Sequence, residues 1–286
     1  MLRKLACFLI LSLLTKYATG QTYYSGSEYG ISVGASQYFG DLNDEYGFKF
    51  VRPALGAFGR LHLNPFISLK GALTYTRVGY NDNLSSNPYN VKRNLNFQSD
   101  IFEAAIQAEF NFFRFSTGEI GNRWTPYLTG GVGVFYYNPF TRYDDRRYYL
   151  RTLGTEGQNA GYEDRKYSKF SMCFPIGAGF KYWLRPGLNV GFEIADRLTL
   201  TDYMDDVSTT YIGAQNFPTD PQNPNPAYVL QDRSVEVGNG EALGRAGKQR
   251  GNESTRDQYM MFLFHLSFQL KVYKCPAYIN RGITDF

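Results

Sequence analysis

Met260-Met261-Phe262-Leu263-Phe264-His265-Leu266-Ser267-Phe268-Gln269-Leu270-Lys271-Val272 is the stretch that decides the fold of this chain. Its even positions are apolar from Met260 to Val272. Its odd positions from His265 onward are His265, Ser267, Gln269 and Lys271. Alternation with period two puts the two sets on opposite faces of a strand. A helix would need apolar spacings of three and four.

The same pattern recurs upstream. Phe170, Met172, Phe174, Ile176, Ala178, Phe180 and Tyr182 make one face, opposite Ser171, Cys173, Pro175, Gly177, Gly179 and Lys181. Phe102, Ala104, Ile106, Ala108, Phe110 and Phe112 make another, opposite Glu103, Gln107, Glu109 and Asn111. Residues 29–38, 53–62, 66–77, 125–137 and 188–201 alternate more weakly, the last with Asp196 on its apolar face, where a bulge or rim position is expected. The total is eight strands. A soluble sandwich also alternates, but nine to eleven tilted residues per strand suit a bilayer. The connections decide between the two. Leu63 to Pro65, Arg114 to Arg123 and Leu184 to Gly187 are short, whereas 39–52, 80–96, 138–168 and 203–257 are long. Short turns on one side and long loops on the other predict an all-β, eight-stranded antiparallel up-and-down transmembrane β-barrel, short side to the periplasm. The last loop, Pro/Asn-rich and then Gly-rich, reads as largely irregular.

Composition is consistent with this reading. Mean hydropathy is −0.38, and beyond the N-terminus no run of 18 apolar residues offers a spanning helix. Arg3 and Lys4, the apolar run from Leu5 to Leu14, and Ala18-Thr19-Gly20 read as a secretory signal over 1–20. The barrel is expected over 21–273, with a periplasmic tail over 274–286. Without the signal, 27 basic residues face 26 acidic ones, so nothing points to nucleic acid. Cys173 and Cys275, all that remain after Cys7 leaves, make neither a disulfide framework nor a zinc site. They are expected at opposite ends of the barrel, too far apart to bond.

Eight strands enclose a lumen that side chains fill. The alternation turns Arg60, Lys70, Glu103, Glu109, Lys181, Glu193, Arg197 and Lys271 inward. Unpaired, such charges cost several kcal/mol each, so an ion-pair plug is expected rather than a channel. Catalysis would need a nucleophile beside a base. His265 and Ser267 share the inward face but read as lumen filler, so no catalytic residue and no cofactor is assigned. The third long loop interleaves Arg142, Arg146, Arg147 and Arg151 with Tyr143, Tyr148 and Tyr149. It reads as a solvated loop, with lipopolysaccharide phosphates as the alternative ligand.

Two segments stand out at strand ends. Gly34-Ala35-Ser36-Gln37-Tyr38-Phe39-Gly40-Asp41-Leu42-Asn43 closes the first strand, and Thr201-Asp202-Tyr203-Met204-Asp205-Asp206-Val207-Ser208 closes the seventh. Asp and Thr at such positions cap backbone donors where strands leave the ladder; calcium on Asp202, Asp205 and Asp206 is a lesser reading. Closure of the barrel is expected to bring 39–43 and 201–208 together at one sector of the rim, with Tyr203 in contact. Together with Lys274-Cys275-Pro276, these segments resemble the PorG family of Bacteroidota over essentially the mature chain. The resemblance implies an outer-membrane component of the type IX secretion system, embedded in lipid and linking a periplasmic ring of PorK and PorN to the membrane. The alternatives are a small barrel for adhesion or envelope stability, and a lipid-modifying enzyme.

Overall fold

The computed structural model describes residues 26–115, 122–185, 187–220, 222, 225–237 and 240–269. The signal region, the tail with Lys274-Cys275-Pro276, and Lys271 lie outside the described residues. The barrel strands are β1 (Ser27–Phe39), β2 (Arg52–His62), β3 (Ile67–Asn81), β4 (Asn96–Asn111) and β5 (Trp124–Tyr136), then β8 (Phe170–Arg185), β9 (Leu188–Thr199) and β10 (Gln258–Gln269). Each pairs antiparallel with its neighbour in this order, and β1 pairs with β10, so the barrel is closed with eight strands.

The outward face is the apolar one. Ile31, Leu55, Leu73, Ile106, Leu128, Ile176 and Phe264 are each between 50% and 66% exposed, which in water would be a large unfavourable surface. Aromatic residues border this belt at both ends. Tyr75, Phe102, Tyr136 and Phe170 stand near the long-loop rim; Phe112, Phe113, Trp124 and Phe180 stand near the short turns. The ten steps from Phe102 to Phe112 span about 23 Å at ~3.3 Å per residue and ~45° tilt, close to the apolar band of an outer-membrane-type barrel.

The lumen has two layers. Near the short turns its lining is charged. Near the long-loop rim it is apolar and aromatic: Tyr38, Val78, Phe97, Ile101, Phe135 and Met261 are buried, and Met204 and Val207 descend onto them from the last loop. This corrects the expectation of an irregular last loop. Its described part carries a short helix, α3 (Pro226–Gln231), and buries Tyr211, Ile212, Phe217 and Leu230; Ile212 and Phe217 pack with Ala227 of that helix against Leu153 and Ala160 of loop three. In loops two and three, α1 (Pro88–Arg93) and α2 (Leu150–Leu153) add to the cap. Loop three also forms a hairpin, β6 (Phe140–Tyr143) and β7 (Arg146–Tyr149), where sequence reading expected only a loop. Its two-residue turn, Asp144-Asp145, has φ 47° and 58°, the doubly left-handed geometry that suits a hairpin's twist. Asp196 makes no bulge. It pairs regularly with Ile176 and Met260, three residues below the end of β9, and the register shift falls instead at Trp183–Arg185 by the turn.

Candidate functional site

The charged layer is built by alternation alone. Along β2, β3, β4, β8 and β9 the residues Arg60, Lys70, Glu103, Glu109, Lys181, Glu193 and Arg197 all face inward, each at most 3% exposed. Glu109 is the hub. Its carboxylate lies 2.7 Å from Arg60, 2.5 Å from Lys181 and 3.8 Å from Lys70. Lys70 also meets Glu193 at 2.5 Å, and Tyr127 donates to Glu193 at 2.9 Å. Arg197 pairs with Glu103 at 3.3 Å, and the Tyr259 hydroxyl donates to Glu103 at 2.6 Å.

Sequence reading missed one member. Glu28 is buried, pairs with Arg60 at 2.5 Å and with His62 at 2.9 Å, and accepts from the Ser267 hydroxyl. The signal was available, because Glu28 shares the parity of inward Gly30 and Ser32. Among the described residues the network then holds four carboxylates against four Lys and Arg side chains, with His62 beside Glu28. Burial demands that balance, since an uncompensated buried ion is expensive. His265 and Ser267 share the lumen face without bonding each other. Ser267 serves Glu28, and His265 stacks edge-on against Phe58 at 4.9 Å.

The second cluster is the rim. Tyr38 ends β1 pointing inward, and its hydroxyl lies 2.6 Å from Asp205 Oδ2 and 2.7 Å from Asp257 Oδ1. Asp205 Oδ1 accepts from the Val207 amide at 2.9 Å, and Asp257 Oδ2 accepts from the Met204 amide at 2.7 Å. Asp206 has φ 67° and accepts from the hydroxyls of Thr155 and Tyr167. Thr201 Oγ1 takes the Tyr203 amide at 3.1 Å. Gly40 bridges Asn43, Asp41 accepts the Asn252 amide, and Leu42 is buried in the same apolar cluster as Met204 and Val207. The 39–43 and 201–208 segments therefore do share one sector. Gly251 passes between them: a Cβ there would stand 2.3 Å from Asp41 Oδ2 and 2.7 Å from the Ser208 nitrogen.

Tyr203, however, is not the contact. It stacks on Tyr167 of loop three at 4.7 Å, nearly parallel, and reaches Glu156 at 3.4 Å. Tyr38 takes its place because inward parity at the end of β1 aims that ring under the motif. Glu156 was also missed. Fully buried, it accepts from the Ser208 and Thr209 amides, the Thr209 hydroxyl and Arg250. Nothing in loop three distinguishes it from neighbouring acids; only the loops' docking does. Asp202 is half-buried, its carboxyl pushed up to about 9, foremost by burial. Among the described residues no group of three carboxylate, His or Cys ligands is arranged to hold a metal ion.

Burial, and then the neighbouring carboxylates, raise both Asp205 and Asp257, the latter to about 8. A carboxyl whose folded value is raised holds its proton more tightly in the closed cap than in the opened one. Its contribution is therefore complete near pH 4 and is lost as pH rises toward 8. Hydrogen exchange of residues 201–208, corrected for the intrinsic rate, should show less protection at pH 8.5 than at pH 6. Asp257→Asn should flatten the difference. Protection that rises with pH in the unaltered protein would contradict raised carboxyls at Asp205 and Asp257.

Fold and site together define a transmembrane β-barrel of the outer-membrane type, with its lumen closed by an ion-pair lattice and its mouth by docked loops. The chain belongs to the family described as "Domain of unknown function (DUF6089)", whose model matches residues 3–232. No protein of curated function matches it by sequence. Among solved structures it is similar to Ail, the attachment invasion locus protein of Yersinia pestis, at 9% identity and TM-score 0.40, covering 86% of this chain and 99% of that one. It is also similar to Neisserial surface protein A, at 10% and 0.40, covering 85% and 97%. A third is OprG of Pseudomonas aeruginosa, at 9% and 0.36, covering 87% and 98%.

Proposed function

We propose that this chain is a non-conducting outer-membrane barrel with a structural role, stabilising the envelope and holding its long loops as a rigid extracellular cap. The observation that carries this reading is the double closure of the lumen, by the lattice around Glu109 and by the Tyr38–Asp205–Asp257 contact above it. A barrel built for permeation would leave a hydrated path. Reconstituted in planar bilayers, the protein should give no steady conductance, and a strain lacking the gene should become sensitive to detergents and large antibiotics. Steady ohmic channels, or an envelope unaffected by deletion, would overturn the reading.

A second reading is an adaptor of the type IX secretion system, favoured by the likeness of residues 34–43 and 201–208 to the PorG family. In this structure Asp205 and Asp206 spend their carboxylates inside the cap. Ring proteins like PorK and PorN would then be met from the short-turn side. Deletion should abolish secretion of proteins bearing C-terminal sorting domains, and a photo-crosslinker at Asn64 should capture a ring protein. Normal secretion in the deletion strain rejects the adaptor reading and leaves the structural one standing.

A further inference from the structure

The β6–β7 hairpin carries charge that the fold leaves uncompensated. β6 resumes the register that β5 abandons: Tyr136 faces Phe102, and four residues on, Phe140 faces Gln98. Phe140 thus stands on the outward face, above the aromatic girdle. At a vertical rise of ~2.3 Å per residue, Phe140 and Arg142 lie roughly 10–14 Å above Tyr136, and Arg77 roughly 5 Å above Tyr75. That is the level of headgroups over the hydrocarbon.

Within the hairpin, Phe140 pairs with Tyr149 and Arg142 sits directly opposite Arg147, all four on one face. The Arg147 guanidinium is 4.2 Å from the Phe140 ring centre, and that of Arg77 on β3 is 5.8 Å from the same ring. Arg142 and Arg147 are exposed, and among the described residues no carboxylate lies within 4.0 Å of either. Asp100 is already engaged by Arg77 at 2.7 Å, and the exposed carboxylates of Asp144 and Asp145 at the tip pair with neither guanidinium. Like charges set directly across a ladder destabilise it. A phosphate between them reverses the sign, because its oxygens match the guanidinium fork two at a time. Tyr149, 41% exposed beside them, offers a ring on which a sugar can lie.

We propose that Arg142 and Arg147, with Tyr149, bind the phosphate of a phosphorylated glycolipid in the outer leaflet. The proposal rests on the outer-membrane placement given above, but its test uses purified protein and does not depend on any role in the cell.

The full chain is reconstituted in phosphatidylcholine nanodiscs containing bis-phosphorylated lipid A, and retained lipid is read by native mass spectrometry. The unaltered protein should retain lipid A and not its dephosphorylated form. Arg142→Gln/Arg147→Gln should cut retention about tenfold or more, the scale expected for losing charge-assisted bonds, with heat-modifiable gel migration unchanged. Arg146→Gln, on the opposite face of the hairpin, should retain lipid normally. If the double variant misfolds, Arg147→Lys decides, since it keeps the charge but loses the fork and should retain several-fold less. Equal retention by the altered and unaltered proteins overturns the proposal. So does equal retention of the dephosphorylated lipid, or displacement of lipid A by an acidic peptide at matched concentration, which would assign the patch to a protein partner.

Discussion

Glu109→Ala should cost the barrel about 3–5 kcal/mol, the usual penalty for stripping a buried ion of its partner. Three bases converge on that carboxylate, Arg60 at 2.7 Å, Lys181 at 2.5 Å and Lys70 at 3.8 Å. Of these, Arg60 keeps Glu28 and Lys70 keeps Glu193. Lys181 keeps only neutral partners, Asn111 at 3.1 Å and the face of the Tyr127 ring at 4.4 Å. The largest part of the loss should therefore fall on Lys181, and the double change Glu109→Ala/Lys181→Met should recover a good share of it. Urea titration in detergent, followed by the gel shift between folded and heat-unfolded bands, measures both. A double variant no more stable than the single one would show that Lys181 is not where the cost arises.

Glu156→Ala should open the cap and leave the barrel standing. This carboxylate joins loop three to the rim motif and to the last loop through the Ser208 and Thr209 amides, the Thr209 hydroxyl and Arg250. Its loss orphans the buried Ser208 amide and the half-buried Thr209 amide and leaves Arg250 without its ion-pair partner, again about 3–5 kcal/mol, here charged to cap closure. Limited proteolysis should cut within 150–168 and 201–220 while heat-modifiable migration persists. Glu156→Gln keeps acceptors for the amides and should fall between. A variant whose cap resists protease like the unaltered protein would mean that apolar packing of Met204 and Val207, and not the carboxylate, holds the loops down.

Eight strands, their order and their inward charges are legible in the chain because alternation is a local property. Arg60, Lys70, Glu103, Glu109, Lys181, Glu193 and Arg197 fall inward by parity alone, and Glu28 would have joined them had the parity been followed one residue further. The apolar upper lumen left a subtler mark. In Met260-Met261-Phe262-Leu263-Phe264 both faces are apolar, so alternation fails where β10 nears the rim. Such a strand end has lipid on one side and a dry interior on the other, and a dry interior requires loops folded over it. That signal foretells an ordered last loop, but not which residues plug the mouth.

Parity distinguishes lipid from lumen for each residue, because a strand needs only its own backbone geometry to present two faces. Partnership needs more. Glu109 meets Lys70, Arg60 and Lys181 from positions 39 to 72 residues away, and Tyr38 meets Asp205 and Asp257 across 167 and 219. Those distances vanish only when the barrel closes and every strand settles in register. The rim motif also gained its meaning at closure: Tyr203, the expected bridge, turned to Tyr167, and Tyr38 took the carboxylates. A loop residue has no alternation to announce its direction, so the docking of Glu156, Asp206 and Arg250 was settled by the shape of the mouth they fill.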